Sequence, residues 1–491
     1  MLSHFVQANA LELSIPGVAV GVWADGEESY ACHGVTSLDN PLPVDPDTLF
    51  ELGSATKPFT ATALMHLVAR GQVELEAPVR RYISELRLKD ERAAAKITVL
   101  NLLNHTAGLD WALLADTGDG DDALAAYIAR LDELKLIAAP GIRASYSQSG
   151  YNLAGRIIEK VTSLTYENAV ASLLLQPLGL AHSFFLDSAI MTQRFAVGHN
   201  PDANGRLAVA RDWKRWRSNN PGGGLVSSAS DQLRWARFHL RDGRAESGEQ
   251  VLPVKMLQQM KEPTVELRGS TLGDAFGICW FLRDIDGVRT VGHGGSAHGQ
   301  FAELLIVPER NFAVVSLANA GPNGIPFNQA VVRWALQHYL GVVDRDPEPL
   351  PYDPARAQEF AGTYENDAMR FVILAGETGM ALEVGLKPEI RAGLASDAPP
   401  DYPPAAIGLL PGNGDDYILI EGGMKGQRGF FTRDEDGTVV GVDLAGRIAT
   451  RVSAGEQFLR VSRPVLRRWP NRHRELLLSC GVGHRNPHKP A

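Results

Sequence analysis

Phe50-Glu51-Leu52-Gly53-Ser54-Ala55-Thr56-Lys57-Pro58-Phe59-Thr60-Ala61 places a serine three residues before a lysine, at the head of a helical pattern. The apolar residues Phe59, Ala63, Leu64, Leu67 and Val68 recur at helical spacing. Residues three apart share a helix face, so the Lys57 ammonium is expected beside the Ser54 hydroxyl. The positive end of the helix dipole favours negative charge on that oxygen, which makes Ser54 a candidate nucleophile activated without histidine. Alone, S-x-x-K decides little, because roughly two matches arise by chance in a chain of this length. An ordinary helix cap beside a solvated lysine explains it as well. Its meaning comes from two further segments.

The first is Tyr146-Ser147-Gln148, which follows a Pro140-Gly141 turn and precedes a helical pattern through Ile157, Ile158 and Val161. The second is Val291-Gly292-His293-Gly294-Gly295-Ser296. It precedes two apolar runs, Phe301 to Val307 and Phe312 to Leu317, joined by Pro308-Glu309-Arg310-Asn311 in a β-hairpin pattern. In this order and at these separations, the three segments resemble the serine hydrolases related to class C β-lactamases and penicillin-recognising D,D-peptidases. That family's motifs are S-x-x-K, Y-x-N and K-T-G or H-x-G. Supporting stretches occur in the expected order: Ile15-Pro16-Gly17-Val18, Leu102-Leu103-Asn104-His105-Thr106-Ala107-Gly108, Pro177-Leu178-Gly179-Leu180 and Pro221-Gly222-Gly223-Gly224. The match covers about residues 1 to 340.

The resemblance implies acyl transfer through a covalent ester on Ser54, with Lys57 and Tyr146 sharing the base role. A cation beside a phenol favours phenolate, so Lys57 is expected to lower the Tyr146 pKa. By family analogy the oxyanion hole is made by the Ser54 and Ser296 N–H groups, with Gln148, His293, Gly294, Gly295 and Ser296 lining the substrate site. Two positions depart from the pattern. Gln148 stands where asparagine is usual, keeping the amide on a longer stem. His293 replaces the lysine of true β-lactamases with a group mostly neutral near pH 7, which should weaken the grip on a β-lactam carboxylate. The reading is therefore a hydrolase of ester or amide bonds in small substrates. A peptidase of D-aminopeptidase or D,D-carboxypeptidase type on short peptides and a slowly deacylating penicillin-binding receptor are the alternatives.

With 491 residues and 44% hydrophobic content, the chain can form two domains with substantial cores. Its net charge of −9 argues against a general nucleic-acid surface, and no apolar run approaches the roughly 18 to 20 residues of a membrane span. Met1-Leu2-Ser3-His4-Phe5-Val6-Gln7 lacks a basic and apolar leader pattern, so a cytoplasmic product is expected; a chain already trimmed of its leader would read the same. Cys32, Cys279 and Cys480 are widely spaced, and the histidines show no H-E-x-x-H spacing. Neither a metal nor another cofactor is expected.

Hairpin patterns at both ends of the first 343 residues, with helical patterns between them, predict an α+β fold. The resembled family builds it as a five-stranded antiparallel sheet flanked by helices beside a helical subdomain. Residues 1–343 are read as the hydrolase domain and 344–354 as a Pro-rich linker. Residues 355–462 carry short strands separated by Gly or Asp turns, which predicts a small antiparallel barrel. It resembles the lipocalin-like barrel of several relatives and is expected to serve homo-oligomerisation or to shape the mouth of the site. Residues 463–491 read as a solvated basic tail. Arg211, Trp213, Lys214, Arg215, Trp216 and Arg217 form a basic and aromatic cluster that is either a substrate contact or a surface loop.

Overall fold

The first hairpin pairs Gly17–Ala24 (β1) with Glu27–Gly34 (β2) around Asp25 and Gly26, both at positive φ. In this computed structural model, residues 1–452 are described apart from 203, 212–214 and 393–402. The tail at 463–491, Trp213 and Lys214 lie outside the described residues. Before β1 comes a helix, Leu2–Glu12 (α1). After β2 the expected helical patterns form Lys57–Ala69 (α2), Gln148–Thr162 (α3) and Ala229–Leu240 (α4). Side-chain oxygens of Ser147 and Ser228 cap α3 and α4, satisfying N–H groups left free at each helix start.

Three strands, Val265–Ser270 (β3), Gly273–Phe276 (β4) and Phe281–Ile285 (β5), precede Val288–Ala297 (β6), the strand that carries the H-x-G segment. The second hairpin follows as Gln300–Val307 (β7) and Phe312–Ala318 (β8), then Gly324–Leu340 (α5). All pair antiparallel in one eight-stranded sheet, in the order β2-β1-β8-β7-β6-β5-β4-β3. The five strands that the resemblance implied are thus extended by β3, β4 and β5. These cover the first half of β6, which would otherwise be an open edge. The alternation of strand side chains feeds two cores. Ala19, Val315 and Leu304 join α2, α3 and α4 on one face, where Phe59 stacks on Trp235 at 4.0 Å. Val20, Val314 and Leu305 meet α1 and α5 on the other.

Beyond α5, Asp344 accepts from Arg283 (2.7 Å) and Asp346 pairs with Arg333, so the Pro-rich stretch is pinned to the sheet and α5. A closed barrel of eight antiparallel strands follows, beginning at Gly362–Glu365 (β9) and Met369–Ala375 (β10). It continues through Met380–Leu386 (β11), Ala405–Leu409 (β12), Asp416–Leu419 (β13) and Arg428–Arg433 (β14). Val439–Leu444 (β15) and Arg447–Arg451 (β16) complete it, with Tyr364 of β9 opposite Arg451 of β16. Phe371, Leu382, Tyr417, Phe431 and Val442 fill its interior. Residues Met1–Arg451 form one compact unit. Among the described residues no helix is long and apolar enough to cross a membrane.

Candidate active site

Ser54 lies in a single 3₁₀ turn, Gly53–Thr56, and Lys57 is the first residue of α2. Lys57 is wholly buried. Its Nζ donates to Gln148 Oε1 at 2.6 Å and to the Gly222 carbonyl at 2.7 Å, and lies 3.3 Å from Ser54 Oγ. Burial holds the amine well below its ordinary pKa. A neutral amine carries two N–H bonds and one lone pair. With both N–H groups on carbonyl oxygens, the lone pair is left for the Ser54 hydroxyl.

Tyr146 is also buried, beside Ser54, and the Lys57 Nζ stands 4.9 Å from its ring centroid. The expected lowering of the Tyr146 pKa is overturned. Desolvation by burial raises it, outweighing the neighbouring Ser54 hydroxyl and Arg447 guanidinium. The phenol therefore keeps its proton near neutral pH. Gln148 opens α3, and both ends of its amide are held: Oε1 by Lys57, Nε2 by Asn219 Oδ1 at 2.6 Å. A Cβ on Gly222 would fall 1.5 Å from Gln148 Nε2, so the longer glutamine stem fits because glycine faces it. His105 stacks against Tyr146 at 4.4 Å and accepts the Ser147 N–H at Nδ1 (3.1 Å). Its proton then belongs on Nε2, which has no partner among the described residues.

On β6, Gly295 meets the nucleophile turn edge-on. A Cβ there would lie 2.0 Å from the Leu52 carbonyl oxygen and 2.8 Å from Ser54 N, so only glycine lets the strand approach. Ser54, Tyr146, Gly294, Gly295 and Ser296 line one cavity of about 310 Å³. His293 does not line it. This side chain is 1% exposed, stacks on Phe281 at 4.2 Å, and gives its Nδ1 proton to the Gly294 carbonyl at 2.7 Å. Burial pushes its pKa down to about 3, so the ring is neutral, and Nε2 has no partner among the described residues.

The barrel supplies groups that motif reading missed. The β15–β16 turn enters the cavity, where the Gly446 carbonyl accepts the Tyr146 N–H at 2.7 Å. Arg447 sets its guanidinium 5.2 Å from the Tyr146 ring centroid and 5.3 Å from that of Trp111. No carboxylate lies within ion-pair distance of Arg447 among the described residues. Asn219 and the Gly222 carbonyl were missed too, although their segment was singled out for its glycines. Two arginines of the basic cluster hold that segment. Arg215 pairs with Asp187 and donates to the Gly224 carbonyl at 3.0 Å, whereas Arg217 bonds Asp121 at 2.7 Å and Glu167. Their charges are neutralised inside the protein.

The family model described as Beta-lactamase matches residues 2–338 of this chain. Penicillin-binding protein 4 of Amycolatopsis lactamdurans is 32% identical over 364 residues, which cover 72% of this chain and 94% of that protein. The crystal structure of SurE superposes with a TM-score of 0.69 at 26% identity, over 92% of this chain and 98% of its own. An octameric penicillin-binding protein homologue from Pyrococcus abyssi shares the fold, with a TM-score of 0.61 at 23% identity over 90% of this chain and 97% of that one.

Proposed function

The chain belongs to the beta-lactamase family, within the wider superfamily of serine hydrolases and penicillin-binding proteins, and from that premise we propose that it cleaves ester or amide bonds through an acyl-enzyme on Ser54. The observation that carries this reading is the setting of Lys57: buried, with two N–H groups on carbonyl oxygens, 3.3 Å from Ser54 Oγ. In the proposal, neutral Lys57 takes the Ser54 proton as Oγ attacks the substrate carbonyl carbon. The oxyanion forms between the Ser54 and Ser296 N–H groups, and Gly295 lets the strand carrying Ser296 close on the turn. Tyr146, still a phenol and beside Ser54, gives its proton to the leaving group and regains one from Lys57. Water then attacks the ester by the reverse route.

Gln148 acts here as a positioning residue. It receives one Lys57 N–H and is itself held by Asn219. His293, neutral and buried beside Phe281 and Tyr146, offers no charge to a β-lactam carboxylate, which supports small esters and amides ahead of penicillins.

Intact-mass measurement over time, after mixing with p-nitrophenyl esters, peptide amides and a β-lactam, tests the reading. A transient adduct in the wild type and none in Ser54→Ala is the expected result. A lasting adduct points to a slowly deacylating receptor. Equal turnover by both proteins sinks the assignment of Ser54.

A further inference from the structure

Glu303 is the one acidic side chain of β7, and it stands opposite Gly294 of β6 in the sheet register. Its carboxylate lies across the neighbouring strand: a Cβ on Gly294 would come within 2.5 Å of Glu303 Oε2. Glycine at that position leaves the carboxylate room to lie there. The next residue, Gly295, abuts the amide of Ser54, and Glu303 lines the same cavity as Ser54 and Tyr146.

A carboxylate half-withdrawn from water in such a place ordinarily carries a partner, because desolvating a charge is costly unless the charge is met. Glu303 has none. Among the described residues its side chain makes no hydrogen bond and no ion pair. Of the four arginines that line the cavity, Arg283 is taken by Asp344 at 2.7 Å and Arg333 by Asp346, and neither Arg428 nor Arg447 pairs with Glu303. Burial alone pushes the Glu303 carboxyl up to about 7, and no neighbouring cation opposes the shift. It packs no core and serves no step of the reaction proposed above. What remains is a negative group, set one residue from the strand segment that touches the nucleophile, with its acceptors open to whatever fills the cavity.

We propose that Glu303 binds a cationic group of the substrate, a primary ammonium carried by the acyl or leaving part of the ester or amide. This rests on the reading of Ser54 as the nucleophile, since it takes the cavity as the substrate site. It narrows the substrate class to amines: aminoacyl esters, aminoacyl amides or peptides with a free amino group. The α-amino group and a lysine-type side chain offer the same chemistry, and the probes below separate them.

Calorimetric titration of Ser54→Ala at pH 8, where the carboxyl is ionised, measures binding with the reaction removed. Alaninamide is compared with N-acetylalaninamide, and Nα-acetyl-lysinamide with N-acetylnorleucinamide. One cationic probe should bind about tenfold or more tightly than its neutral counterpart, the scale of a charge-assisted hydrogen bond. That ratio should fall to near one in Ser54→Ala/Glu303→Gln. Preference within the first pair assigns the site to an α-ammonium, and within the second to a side-chain ammonium. If Glu303→Gln fails to fold, Gly294→Ala displaces the same carboxylate and should also abolish the ratio. No preference in either pair, or a preference that survives loss of the carboxylate, overturns the proposal. Neither result bears on Ser54, which the mass adduct tests separately.

Discussion

Lys57 has an environment that removes its reason to be charged. It is fully buried, no carboxylate touches it among the described residues, and its hydrogen-bond partners there are two carbonyl oxygens and a hydroxyl. In that setting a neutral amine is the stable form, and a neutral amine is a base. Lys57→Met should lower the acylation rate with a reactive ester by about 10²- to 10⁴-fold, the usual contribution of a general base. Lys57→Arg should fare no better, because a guanidinium does not give up its proton near neutral pH. The rate of appearance of the mass adduct measures both; an arginine variant that acylates at the wild-type rate would refute the base role. Motif spacing made Ser54 and Lys57 legible, since a three-residue offset on a helix fixes a neighbour. The Tyr146 phenol was misjudged because spacing names a neighbour, whereas the sign of its shift depends on depth of burial, which no local pattern carries.

At the level of elements, the hairpins were readable because each is local: β1 with β2 and β7 with β8 join strands across a short turn. The barrel was readable too, from short runs punctuated by glycine and aspartate. Its part in the site was not. Arg447 and Gly446 reach Tyr146 through closure of the whole barrel, a long-range event that leaves no trace around either residue in the sequence. The β15–β16 turn therefore makes a prediction that a purely oligomeric barrel would not. Gly446 has a φ of 73°, and an added Cβ would sit 2.5 Å from Leu272 Cδ1 and 3.3 Å from Tyr146 Cβ. Gly446→Ala should shift the Tyr146 backbone and lower kcat by about tenfold or more, since a displacement near 1 Å is enough for such losses. Arg447→Ala should raise the Tyr146 pKa further, because it removes a cation that opposes the upward shift. The pH profile of kcat in Arg447→Ala should move accordingly, and a profile identical to wild type would leave Arg447 with a packing role alone.

Across the whole molecule, the four buried histidines among the described residues, His105, His199, His239 and His293, have their pKa lowered by desolvation. Among the described residues His239 has no hydrogen-bond partner on either nitrogen, and it packs edge-on against Trp235 and Trp280, at 4.4 and 5.0 Å. A base whose folded pKa is depressed leaves the unfolded chain binding more protons, so stability is lost as pH falls below the unfolded value near 6.5. For His293, with a folded pKa of about 3, the loss at pH 5 is about 2 kcal/mol. Glu303 and Asp443 act in the opposite sense. Burial raises both carboxyls to about 7, so their contribution grows as pH falls from 7 toward the ordinary carboxyl range. Because the two sets oppose, the total change in melting temperature between pH 7 and pH 5 does not isolate either. The difference between variants does. His239→Leu keeps an apolar body in the same pocket and removes one titrating base, so its melting temperature should fall less than that of wild type between pH 7 and pH 5. Asp443→Asn removes a carboxyl of the opposite sign and should fall more. Melts of all three proteins at both pH values decide it, and parallel losses would mean that His239 is protonated within the fold and that burial does not govern its charge.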